Sequence, residues 1–124
     1  MTLQSPLRHD ERPDQWPIFG HILWEPHLAR THIRRRALEQ ATIMAVSANG
    51  ALIRARTNTE ITSGTRVSIG RDADRGLVAV RRIEATANPA MSDYGVQFLW
   101  LDPPIQAFFD EAASTDSQFH FEWR

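Results

Sequence analysis

Thr42-Ile43-Met44-Ala45-Val46-Ser47-Ala48-Asn49-Gly50-Ala51-Leu52-Ile53-Arg54-Ala55 sets two apolar, β-prone runs on either side of Ser-Ala-Asn-Gly. Asn-Gly between such runs is a strong short-range hairpin signal, because both residues accept the positive φ that tight hairpin turns demand. The stretch reads as the central hairpin of the domain, with strands at roughly Ala41–Val46 and Ala51–Arg56.

Upstream, Ile18 to Trp24 is short, aromatic and β-branched enough for a first strand, closed by Glu25-Pro26. Gly20 within it suggests a bulge or a close backbone approach. Residues 27–40 fit a helix, a basic loop or an extended strand equally well, and their assignment stays open. Residues 1–17 are polar and broken by Pro6, Pro13 and Pro17, which gives a flexible N-terminal arm.

Downstream, Thr57 to Gly64 is a polar connection, and Thr65 to Ile69 alternates polar and apolar with the period of two of a half-buried strand. Arg71 to Gly76 reads as a charged turn. Leu77 to Thr86 then forms a strand with Leu77, Ala79, Arg81 and Ile83 on one face and Val78, Val80 and Arg82 on the other. Tyr94 to Trp100 is the last strand, with Tyr94, Val96, Phe98 and Trp100 expected to point inward together. The period changes at Asp102-Pro103-Pro104, where Asp102 is suited to an N-cap and Pro103 to the first helical position. Ile105, Phe108, Phe109 and Ala112 follow at i, i+3, i+4 and i+7, a stripe that can lie against a sheet and cover an open end of it. Ser114 to Arg124 is a tail in which Phe119, Phe121 and Trp123 alternate, enough for an edge strand or a partner contact.

The expectation is a mainly β fold, a small six-stranded antiparallel β-barrel with a C-terminal α-helix. The domain plan is an arm over 1–17, a barrel with its terminal helix over 18–113, and a tail over 114–124. A length of 124 residues allows one core, and 42% hydrophobic with 23% charged residues is the composition of an ordinary globular domain. A formal net charge of -1 argues against nucleic-acid binding driven by a large positive field. With no cysteine, disulfides and thiolate chemistry are excluded. No run approaches transmembrane length and the residues after Met1 are polar, so a cytoplasmic, non-membrane protein is expected.

Catalytic signatures are weak. His9, His21, His27, His32 and His120 lack the spacings of metal sites, and no metal or other cofactor is expected. Ser47 lacks the flanking glycines of a nucleophile elbow. The chain is therefore read as non-enzymatic. All 14 cationic side chains are arginine, whose planar fork suits phosphate oxygens and the acceptor edge of guanine. Arg8 and Arg12 stand four apart in the arm, immediately before the first strand. Arg12 can meet a ligand there, or pair with Asp10 or Glu11 on a solvated arm. Arg34-Arg35-Arg36 is either a solvated loop or a contact for nucleic acid or an acidic partner.

An Arg-x-x-x-Arg arm, a later x-x-Ser-x-x-Gly turn opening a Gly-Ala-Leu-Ile strand, then Ser-Gly-Thr-Arg-Val-Ser-Ile, and Tyr-Gly-Val-Gln-Phe-Leu-Trp-Leu-Asp before a helix together resemble a PilZ domain, from about Arg8 to Ala112. The resemblance implies a six-stranded barrel with a C-terminal helix and a bacterial receptor for cyclic di-GMP. It implies that Arg8 and Arg12 wrap over the ligand, that Ser47 supplies the hydroxyl and Gly50 the turn glycine, and that a protein partner reads the liganded state. Asn49 can offer an amide nearby. Ala45 stands where the family has Asp or Asn, and its methyl cannot accept from guanine N–H groups. A lost charge-assisted hydrogen bond typically costs about 1.5–3 kcal/mol. The alternative expectation is a PilZ-like protein-interaction adaptor that has lost the nucleotide.

Overall fold

The computed structural model describes residues 19–28 and 39–115. Among them, β1 (Gly20–Pro26), β2 (Glu39–Val46), β3 (Gly50–Arg56), β4 (Arg66–Arg71), β5 (Asp74–Ala85) and β6 (Met91–Leu101) are followed by α1 (Pro103–Thr115). The strands form a closed barrel in the order β1-β2-β3-β6-β5-β4, every pairing antiparallel, with β1 and β4 making the closure. The expected six-stranded barrel with a C-terminal helix is what the chain forms.

The period of two explains the core. Ile22 and Trp24 of β1, Val67 and Ile69 of β4, and Tyr94 and Val96 of β6 are each two apart and all at most 2% exposed. At the centre the Trp24 and Tyr94 rings stack tilted, with centroids 5.4 Å apart. The Tyr94 hydroxyl accepts the backbone N–H of Asn58 at 3.0 Å, so the polar end of this buried side chain is satisfied. The apolar stripe of α1 closes the barrel as expected: Ile105, Phe109 and Ala112 join the core, with Phe108 packed beside them.

Three bulges correct the simple alternation. In β2 the register runs Ile43↔Ile53 and then Ala45↔Leu52, so Met44 is an extra residue. In β5 Arg81 is extra, between Val80↔Val96 and Arg82↔Gly95, and in β6 Leu99 is extra, between Phe98↔Val78 and Trp100↔Leu77. A bulge flips every following side chain to the other face of its strand. Trp100 consequently leaves the inward row of Tyr94, Val96 and Phe98 and is 51% exposed. The bulge at Arg81 likewise breaks the expected faces of β5, putting Arg82 beside the outward Gly95 and Ile83 beside the inward Tyr94.

Other expectations shift by smaller steps. The first strand is Gly20–Pro26, so Glu25-Pro26 lies within it. Gly20 is neither bulged nor crowded; it holds a φ of 127°, a conformation that glycine alone adopts without strain. The charged segment 71–76 narrows to a two-residue turn, Asp72-Ala73, with Arg71 and Asp74 already paired. Asp102 accepts the N–H groups of Ile105 and Gln106 on its carbonyl, but its carboxylate caps no helical N–H; it accepts the backbone N–H of Arg75 at 2.7 Å and ties the helix start to β5. The helix runs to Thr115, beyond the expected boundary at 113. Of the open segment 27–40, Glu39 and Gln40 begin β2.

Candidate functional site

The turn after β2 is closed by the Ser47 N–H donating to the Gly50 carbonyl at 2.9 Å, with Ala48 and Asn49 at its tip. The only non-glycine residue with a positive φ among the described residues is Asp72, so Asn-Gly does not supply the left-handed pair expected of it. Gly50 already belongs to β3, opposite Gln97. The turn is fastened to β6 as well, since the Phe98 N–H donates to the Asn49 carbonyl at 2.9 Å.

Met44 decides which way the turn residues face. Ile43 and Val46, three apart, both belong to the core, whereas Ala45 pairs with Leu52 on the opposite, outer side. Strict alternation from Ile43 would have sent Ala45 and Ser47 inward; the extra residue sends them outward, next to Gly50. Both remain recessed, Ala45 at 2% and Ser47 at 7% exposure, while Asn49 is exposed.

Ser47 Oγ donates to the Gly50 carbonyl at 3.3 Å. A hydroxyl has one proton and two lone pairs, so a hydroxyl spending its proton within the turn offers a ligand an acceptor. That is the polarity required by the N–H groups of a guanine. Ala45 contributes no polar atom beside it.

The register across β3 and β6 extends this face. Gly50, Leu52 and Arg54 lie opposite Gln97, Gly95 and Asp93. Arg54 clasps Asp93 through Nε–Oδ1 at 2.7 Å and Nη2–Oδ2 at 3.0 Å. From β5, Arg81 Nε donates to Gln97 Oε1 at 2.8 Å. Gln97, Arg81 and Arg54 were not singled out from sequence. The signal for Gln97 is its place as the one amide in Tyr94-Gly95-Val96-Gln97-Phe98, two residues from Gly95 on the face away from Val96. Beyond Gln97, a cleft of about 250 Å³ runs along the turn and the end of β6, with Asn49, Trp100 and Gln106 in its lining.

The structure thus brings Ser47, Asn49 and Gly50 together on one turn and adds Gln97 to them. Arg8 and Arg12 lie outside the described residues, as do Arg34, Arg35, Arg36 and the aromatic positions Phe119, Phe121 and Trp123. What is visible is the root of the arm. The Phe19 N–H donates to the Ile43 carbonyl at 3.0 Å, and Gly20 pairs with Ile43. Chain leaving β1 toward its N-terminus therefore starts beside Ile43, four residues before Ser47.

Among the described residues, no group of three or more His, Asp or Glu side chains is gathered to hold a metal ion, and no helix is long and apolar enough to cross a membrane. No protein-family model matches the chain, and neither a curated protein nor a solved structure matches it.

Proposed function

We propose that the chain is a non-enzymatic receptor of PilZ type, binding the bacterial second messenger cyclic di-GMP in the cytoplasm and relaying its presence to a protein partner. The observation that carries this reading is the nearness of two segments far apart in sequence. The arm enters the barrel at Phe19–Ile43, and the turn that begins at Ser47, just past the end of β2, stands four residues farther along the chain. Four strand residues span roughly 13 Å. The seven residues from Arg12 to Phe19 reach roughly 25 Å when extended, so both arm arginines are within range of a ligand seated on the turn.

The chemistry agrees with that placement. Ser47 presents acceptor lone pairs to guanine N–H groups, while Arg8 and Arg12 supply forks for guanine O6/N7 and for phosphate. Ordering an arm over a bound dinucleotide changes the surface shown to a partner, which is a recognised class of switch. Isothermal titration calorimetry with cyclic di-GMP tests the reading. Binding that weakens in Arg12→Ala and Ser47→Ala supports it, and absence of heat at high protein and ligand concentrations, with unmoved amide resonances, overturns it.

Two observations favour the second reading, a PilZ-like adaptor without nucleotide. Ala45 offers no carboxylate, and Leu99 and Trp100 expose apolar surface at 40% and 51%. The same titration separates the two.

A further inference from the structure

The cleft beside the turn is the part of the outer face that the receptor reading does not use. Its volume of about 250 Å³ lies below the roughly 300–1,000 Å³ of sites for drug-sized ligands, which is room for one planar ring system. Trp100 lines it and is 51% exposed as a residue, an uncommon state for the largest apolar side chain. That exposure is built in, because the extra residue Leu99 turns Trp100 out of the core row occupied by Phe98. Bulges recur beside functional sites for this effect, re-aiming one side chain.

The polar groups around Trp100 are complementary in kind. Gln97 uses its carbonyl oxygen on Arg81, at 2.8 Å, and keeps amide N–H donors. Gln106 uses its amide nitrogen on Asp110, at 2.9 Å, and keeps its carbonyl oxygen as acceptor. Asn49 adds one donor group and one acceptor at the cleft's edge. A donor and an acceptor next to an exposed indole match guanine, which carries the O6 acceptor along with N–H donors on the edge of a flat ring.

We propose that this cleft is a guanine subsite in which the base stacks on Trp100 while Gln97, Gln106 and Asn49 read its edge. It rests on the receptor reading for the identity of the ligand, and it places one base of the dinucleotide beyond Ser47 and not over the barrel wall. Stacking on an aromatic side chain is the main source of affinity in such sites, and its removal weakens binding by roughly 10- to 100-fold.

The test follows the Trp100 indole N–H resonance, assigned with Trp100→Phe, during titration with cyclic di-GMP and separately with GMP, alongside calorimetry of wild type, Trp100→Ala and Trp100→Phe. The expected result is a shifted indole resonance, an affinity loss of about 10-fold or more in Trp100→Ala, and a smaller loss in Trp100→Phe, whose ring still stacks. Cyclic di-GMP binding that leaves the indole unmoved and is unchanged in Trp100→Ala overturns the subsite and leaves the receptor reading standing. A shift with GMP while cyclic di-GMP gives no heat supports the subsite and overturns the receptor reading. Silence with both nucleotides at millimolar concentration overturns both.

Discussion

Arg54 and Asp93 sit directly opposite each other on β3 and β6 and form a two-pronged ion pair, with 17% and 11% of their side chains exposed. At that depth the pair is only weakly screened by salt, and both of its hydrogen bonds are charge-assisted. Asp93→Ala removes two charge-assisted hydrogen bonds from the Arg54 side chain, which is 17% exposed, and is expected to lower stability by about 1–3 kcal/mol. Chemical denaturation at low and high salt measures it. A loss below about 0.5 kcal/mol, the level of an ordinary surface pair, would show that the pair is ornamental.

The core makes a second demand at Tyr94. Its ring packs against Trp24, and its hydroxyl accepts the Asn58 N–H at 3.0 Å. Tyr94→Phe preserves the packing and removes the acceptor, so the expected cost is about 1–2 kcal/mol, the price of one unsatisfied amide. Trp24→Ala removes the opposing ring from a site 1% exposed and is expected to cost about 3–5 kcal/mol. Thermal unfolding of the two variants gives the order, and a larger loss in Tyr94→Phe than in Trp24→Ala would contradict this account of the core.

The barrel was legible in the sequence because its signals are periodic. Val67 with Ile69, Tyr94 with Val96, and Ile105 with Phe109 announce strand, strand and helix through spacing alone, and burial selects for that spacing. The bulges were not legible, since Met44, Arg81 and Leu99 are extra residues with no compositional mark and only pairing with a neighbouring strand reveals them. Their effect falls mainly on the outer face, so it was the candidate site that sequence described least well. Ser47 and Gly50 could be named from a motif, but the outward turn of Ser47 depends on Met44. Gln97 and Trp100 came into view only through strand register.

Asp102 supplies a third prediction, from a role the sequence assigned only in part. Its carboxylate accepts the Arg75 N–H at 2.7 Å, while its carbonyl begins the hydrogen bonding of α1. Asp102→Ala removes the side-chain half of the link between β5 and the helix start, leaving the backbone bond from the Asp102 N–H to the Arg75 carbonyl at 2.9 Å and the helical bonds in place. The expected loss is about 1–2 kcal/mol, with amide exchange accelerated at Arg75 and in the first turn of α1. Faster exchange confined to the first turn of α1, with Arg75 unmoved, would point instead to a helix cap.

The sharpest prediction concerns Ala45, which pairs with Leu52 on the outer face, two residues before Ser47. Ala45→Asp restores the acceptor that the PilZ resemblance leads one to expect, and a charge-assisted hydrogen bond to guanine N–H groups contributes about 1.5–3 kcal/mol, or roughly 10- to 100-fold in affinity. The substitution carries a cost in the absence of ligand, because the position is 2% exposed and a carboxylate there loses solvation. The two effects have opposite signs and separate cleanly. Without nucleotide, the Tm of Ala45→Asp should fall; at the same excess of cyclic di-GMP it should recover by more than wild type gains, since the stabilisation by a ligand grows with the logarithm of its concentration over Kd. A lower Tm with no added gain from ligand would mean that no guanine N–H reaches position 45, and that the missing acceptor there is not what limits nucleotide binding.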